Sequence, residues 1–129
     1  MMSIFRRGRS GPGRVTVQEA AALTGRGNAE SGGDAVLLDV RETHEWQAGH
    51  APRAVHLPLS ALASGAGLPA QAQARPLVVI CRSGNRSLRA AELLAARGAE
   101  VVDVIGGMSD WAGAGLPVVD TRGGNGTVA

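Results

Sequence analysis

Three short runs constrain this chain most: Ala35-Val36-Leu37-Leu38-Asp39-Val40, Leu77-Val78-Val79-Ile80 and Val101-Val102-Asp103-Val104-Ile105. Each is apolar at successive rather than alternate positions, so as a strand it is covered on both faces. Such strands sit inside a largely parallel sheet with helices on either side, and helix signals fill the intervals. Thr16-Val17-Gln18-Glu19 is a capping-box pattern that predicts a helix to about Leu23, stopped by Gly25 and Gly27 and followed by a loop over 28–34. A helical turn is expected over Glu42–Gln47, a further strand over Ala54–Leu57, and a short helix capped by Ser60 before a loose segment, 65–75. Ala90, Leu93 and Leu94 share one helix face, which predicts a helix from about Ser87 to Arg97, ended by Gly98. Gly106-Gly107 turns the last strand into a short helix through Trp111, and Pro117-Val118-Val119 is expected to dock on the body. The fold class is α/β, layered, with a mainly parallel sheet.

The chain of 129 residues fits one domain with a core large enough to need no disulfide. At 44% hydrophobic and 19% charged residues its middle reads as globular. No apolar stretch reaches the roughly 18–20 residues of a membrane-spanning helix, so no membrane partner is expected. All thirteen basic residues are Arg, and four of them (Arg6, Arg7, Arg9, Arg14) fall in the first fourteen positions. Without those four, nine Arg face eleven acids, so the basic character belongs to an N-terminal arm. Few aromatics are available to stack on bases, and only Phe5 accompanies the arm, so it reads as solvated rather than as a nucleic-acid site. Three regions are expected: a disordered arm over 1–13, a domain over 14–119 and a flexible tail over 120–129. The short apolar start, Met1 to Phe5, does not match a secretory signal, and a single cysteine suits a reducing compartment, so a cytoplasmic location is expected.

That cysteine, Cys81, directly follows the run Leu77–Ile80 and opens the loop Cys81-Arg82-Ser83-Gly84-Asn85-Arg86-Ser87. In an open α/β sheet, ligands bind beyond the carboxyl ends of the strands, where Cys81 falls. Gly84 lets the loop backbone turn its N–H groups inward as an anion-binding nest, and the following helix adds its positive end. Arg82, Arg86 and Arg89 lie close in sequence, with no acid before Glu92. One cation about 4 Å from a thiolate contributes on the order of 4 kcal/mol at an effective dielectric near 20, before desolvation. This setting favours a reactive thiolate over an inert, buried thiol; a thiolate that attacked a sulfur donor would become a persulfide, whose terminal sulfur the same nest would stabilise.

Four segments together resemble the rhodanese (sulfurtransferase) family in its single-domain form. They are Leu38-Asp39-Val40-Arg41-Glu42; Glu45-Trp46-Gln47-Ala48-Gly49-His50-Ala51-Pro52; Cys81 to Ser87; and Gly106-Gly107-Met108 through Trp111 to Gly115-Leu116-Pro117-Val118. They occur in the family's order over roughly residues 15–119. The resemblance implies a three-layer fold around a five-stranded parallel sheet, with Cys81 as the sulfur-accepting nucleophile. It also implies that the amides from Arg82 to Arg86 cradle the persulfide. Four residues separate Cys81 from Arg86, whereas related phosphatases and arsenate reductases have a loop one residue longer, so the resemblance favours sulfur transfer. One departure is Arg53 after Pro52, where the family often has glycine.

The expected function is transfer of sulfane sulfur from thiosulfate or a persulfide donor to cyanide, a thiol or a sulfur-accepting protein. The alternative is a sulfur-relay or sensory module with little turnover. Cys81 is the expected catalytic residue, Arg82, Ser83, Gly84, Asn85, Arg86 and Ser87 the binding loop, and Arg86 the contact to the donor's anionic end. Asp39 and Arg41 are candidates for a supporting role, read first as structural, with Arg41 pairing with Glu45. His44, His50 and His56 recur every six residues without a cysteine to join them, so neither metal nor cofactor is expected; His50 is expected to bond locally. Trp46 and Trp111 read as core anchors.

Overall fold

A computed structural model of the chain describes residues 12–25 and 35–129. The N-terminal arm up to residue 11 and the loop over 28–34 lie outside the described residues. One five-stranded sheet, entirely parallel, runs in the order β1-β5-β4-β2-β3. Its strands are β1 (Gly13–Val15), β2 (Val36–Asp39), β3 (Val55–His56), β4 (Leu77–Ile80) and β5 (Val101–Val104). The three doubly apolar runs form the inner strands, as burial on both faces requires.

Helices cover both faces. α1 (Val17–Leu23) and α5 (Gly107–Gly113) lie on one side; α3 (Leu59–Ala63) and α4 (Asn85–Ala96) lie on the other. α2 (Thr43–Ala48) follows β2. Strand alternation divides the core. Val78 and Ile80 face the α1/α5 layer, while Leu77 and Val79 face the α4 layer, and Cys81 continues that second series just past the end of β4.

Local chemistry explains most boundaries. Thr16 and Glu19 make both capping-box bonds at the start of α1. α4 begins at Asn85, two residues before the expected start, because Gly84 takes a left-handed conformation that closes the loop early. Asn85, Arg86 and Ser87 therefore form the first turn of the helix. Ser60 does not cap α3, which starts after Pro58; its hydroxyl instead donates to Glu42 at 2.8 Å. A turn closes across Pro52 and Arg53 through the Ala54 amide and Ala51 carbonyl, and Arg53 needs no positive φ there. That is why arginine fits where glycine is common.

Two segments differ from expectation. Gly13, assigned to the arm, is the first residue of β1, an edge strand too short to have a readable pattern. The last ten residues, expected to be a flexible tail, fold back along the body. Val119 bridges to both His50 and Asn125, Gly126 donates to Val118, Thr127 to Ala48, and Arg82 Nε to the Ala129 carbonyl at 2.6 Å.

Candidate active site

Cys81 lies at the carboxyl end of β4 with 1% of its surface exposed. The Gly84 amide donates to its Sγ at 3.1 Å. On the other side the thiol donates to Ser87 Oγ at 3.5 Å. Gly84 has φ 103°, and a Cβ there would meet Arg14 Nη2 at 3.1 Å and the Gly106 amide at 3.2 Å. Glycine is thus required both for the turn and for the close approach of neighbouring strands.

The carbonyls of this loop point the opposite way. Met108 N donates to the Cys81 carbonyl at 2.7 Å and Ser109 N to the Arg82 carbonyl at 2.9 Å. The first amides of α5 thereby find acceptors. With its carbonyls engaged by α5, the loop is free to aim an amide at the sulfur. Gly107, at φ 56°, makes this possible, since a Cβ there would lie 2.3 Å from the Cys81 carbonyl oxygen. The Gly106-Gly107 step of the sequence is therefore part of the cysteine site.

The remaining loop residues separate by exposure. Arg82, Ser83 and Asn85 are exposed, Gly84 and Ser87 are buried, and Arg86 is half-buried. Arg86 does not stand open to an incoming anion: its two Nη atoms fork onto Glu45 at 2.5 and 2.7 Å. The hydrogen bonds from Arg86 pull the Glu45 carboxyl down to about 2, and the same bonds raise Arg86 above its ordinary value. Arg89 lies exposed on α4.

Asp39 and Arg41 pair with each other, not Arg41 with Glu45. Arg41 Nη2 donates to Asp39 Oδ2 at 2.8 Å and to the Gly49 carbonyl at 2.6 Å, and both side chains are fully buried. Arg41 Nη1 is buried without a hydrogen-bond partner. The pair ties the end of β2 to the Gly49-His50 step. His50 Nδ1 donates to the Trp46 carbonyl at 2.7 Å and His56 Nε2 to the Arg41 carbonyl at 2.8 Å. Trp46 is half-buried and stacks with both of those imidazoles, at 3.6 and 4.7 Å between ring centroids, whereas Trp111 is a buried anchor that donates to the Pro117 carbonyl.

Two residues near the cysteine escaped the sequence reading. Asp103 on β5 has no exposed surface and accepts from Ser87 Oγ at 2.9 Å. Arg14 on β1 donates to Asp103 at 3.0 Å through both Nε and Nη2, and to the Gly84 carbonyl at 2.8 Å. A carboxylate within the apolar run Val101–Ile105 was the available signal, since a buried charge needs a partner. Arg14 could not be found that way, because nothing local links it to a strand 89 positions away.

The fold and this loop define a class: a parallel α/β domain presenting one buried cysteine at the mouth of its central strand, beside a helix N-terminus. The family model described as "Rhodanese-like domain" matches residues 16–114, and the chain belongs to that family. It is 37% identical over 100 residues to the thiosulfate sulfurtransferase GlpE of Pseudomonas savastanoi pv. phaseolicola, covering 76% of this chain and 85% of that protein. It is 38% identical over 104 residues to the adenylyltransferase and sulfurtransferase MOCS3-2 of Zea mays, covering 76% of this chain and 20% of that protein. The chain spans between about a fifth and a half of the length of several such curated relatives. A rhodanese-related protein from Thermoplasma volcanium has the same fold, with a TM-score of 0.65 and 29% identity over 83% of this chain and 97% of that one. Family and relatives together support sulfur transfer as the general chemistry. Among the described residues, no helix is long and apolar enough to cross a membrane.

Proposed function

We propose that the chain is a sulfurtransferase that carries sulfane sulfur on Cys81, with thiosulfate or a persulfide as donor and a thiophile as acceptor. The observation that carries this reading is the Gly84 amide at 3.1 Å from a cysteine sulfur held at the end of the central strand. Anionic sulfur is well served by such a donor beside a helix N-terminus. In the first half-reaction the Cys81 thiolate attacks the outer sulfur of the donor. A Cys81 S–S bond forms, the donor's own S–S bond breaks, and its electron pair leaves with sulfite or a thiolate. In the second, cyanide or a thiolate attacks the outer sulfur and the Cys81 thiolate departs, giving thiocyanate or a new persulfide. This is ping-pong chemistry. The acceptor attacks the outer sulfur and not Sγ, and Cys81 itself has 1% of its surface exposed before loading.

Ser83, Asn85 and Arg82 line the exposed side of the loop, and Gly84 and Ser87 hold the sulfur. Arg86 is assigned to the donor's anionic end, in competition with Glu45. The spacing of four residues between Cys81 and Arg86 supports sulfur transfer over phosphatase chemistry.

Incubation with thiosulfate and cyanide should yield thiocyanate, and Cys81→Ser should abolish it; turnover surviving in that variant rejects the mechanism. The burial of Sγ also favours a second reading, a relay that loads and hands sulfur to a protein acceptor with little free turnover. Gain of one sulfur atom by intact mass, with negligible thiocyanate, selects the relay. The cellular acceptor is then a protein thiol or carrier, and a compartment that keeps Cys81 reduced, such as the cytoplasm, suits either reading.

A further inference from the structure

Under Cys81 lies an ion pair that sulfur transfer as set out above does not use. Arg14 and Asp103 are register partners on adjacent parallel strands, β1 and β5. Asp103 points to the α4 side of the sheet, fully buried, and its Oδ2 accepts the Ser87 hydroxyl as well as Arg14 Nη2. Arg14 Nη2 also donates to the carbonyl of Gly84, the residue whose amide reaches Sγ. Both polar contacts of the sulfur therefore end on the same pair. The direction of the bonds follows. Asp103 accepts from Arg14 at both oxygens and from the Ser87 hydroxyl, so the Ser87 hydrogen is committed to it and the Ser87 lone pairs face the thiol.

We propose that the Arg14–Asp103 pair is a positioning device that sets how readily Cys81 ionises: Arg14 steadies the Gly84 amide that favours the thiolate, and Asp103 turns Ser87 into an acceptor that favours the thiol. Neither residue is hydrogen-bonded to the sulfur, whose bonds go to Gly84 and Ser87. The proposal rests on Cys81 being the reacting group in the function given above. The other charges packed around it are already balanced or at the rim. Arg86 is bound by Glu45 from α2, Asp39 by Arg41 after β2, Arg82 is exposed on the loop, and Asp110 is exposed on α5. Asp103 is buried while 39% of the Arg14 side chain is exposed, so removing Arg14 leaves a buried carboxylate without its cation, and removing Asp103 leaves a cation that water partly screens.

The two members therefore act in opposite directions. The test is the pH profile of Cys81 alkylation by iodoacetamide, followed by intact mass on the folded chain with circular dichroism as the check on folding. Asp103→Asn should displace the profile to lower pH and Arg14→Gln to higher pH, each by about one unit. The double variant should return close to the parent, and Arg14→Lys, which keeps the charge, should stay near it even if Arg14→Gln fails to fold. A pair that only packs the sheet would move both single variants the same way or leave both unchanged, and either result overturns the proposal. Alkylation needs no sulfur donor. Opposite displacements in a chain that makes neither persulfide nor thiocyanate would reject the sulfurtransferase reading and leave the role of the pair intact.

Discussion

At the scale of single residues, Cys81 was visible because its surroundings are local in sequence: a buried strand before it, a glycine three positions on, a helix after. The charges around it were not. The sequence offers Arg82, Arg86 and Arg89 with no nearby acid, yet the fold brings Glu45 onto Arg86 and Asp103 onto Ser87. The site is consequently less cationic than the local sequence suggests. Arg86 cannot contact an anionic donor at full strength while Glu45 occupies both of its Nη groups. Replacing Glu45 with Gln should free the guanidinium and lower the KM for thiosulfate several-fold, with a smaller effect on a singly charged persulfide donor. Steady-state kinetics with the two donors checks this, and an unchanged or raised KM for thiosulfate removes Arg86 from donor binding.

Among the elements, the connection from β2 into α2 depends on a buried ion pair that the sequence misassigned. Arg41 could have met Glu45 four positions on, as helical spacing suggests, but residues 39 and 41 face the same side of an extended segment, and the arginine bonds back to Asp39. It then reaches the Gly49 carbonyl and closes the segment that carries Trp46 and His50. Truncating Arg41 to Ala leaves Asp39 as an uncompensated buried charge and should cost about 3–5 kcal/mol. Urea unfolding measures it, and a loss below about 1 kcal/mol would mean that water replaces the guanidinium. Element types were legible for β2, β4, β5, α1 and α4, where burial periodicity and caps are strong. β1 was not, because three residues, Gly13-Arg14-Val15, carry no pattern until β5 supplies their partner.

For the whole molecule, acid should act through Glu45. Its carboxyl titrates near 2 when folded, below the ordinary value of 4.5, because Arg86 binds the charged form. Between those values the unfolded chain binds more protons, so the Glu45 contribution is present above about pH 4.5 and is lost as pH falls towards 2. Urea midpoints should drop through that window in the parent and change less in Glu45→Gln; equal slopes would count against the pairing. Residue order alone determined the layered α/β class, the inner strands and the place of the cysteine at the end of one of them, because periodicity, capping and turn chemistry act over a few neighbouring positions. Folding was needed to choose the partners of Arg14, Arg41 and Arg86 and the resting place of the last ten residues. Ion pairing and edge-strand pairing depend on distance in space, and residues as far apart as Arg14 and Asp103 become neighbours only once parallel strands are in register.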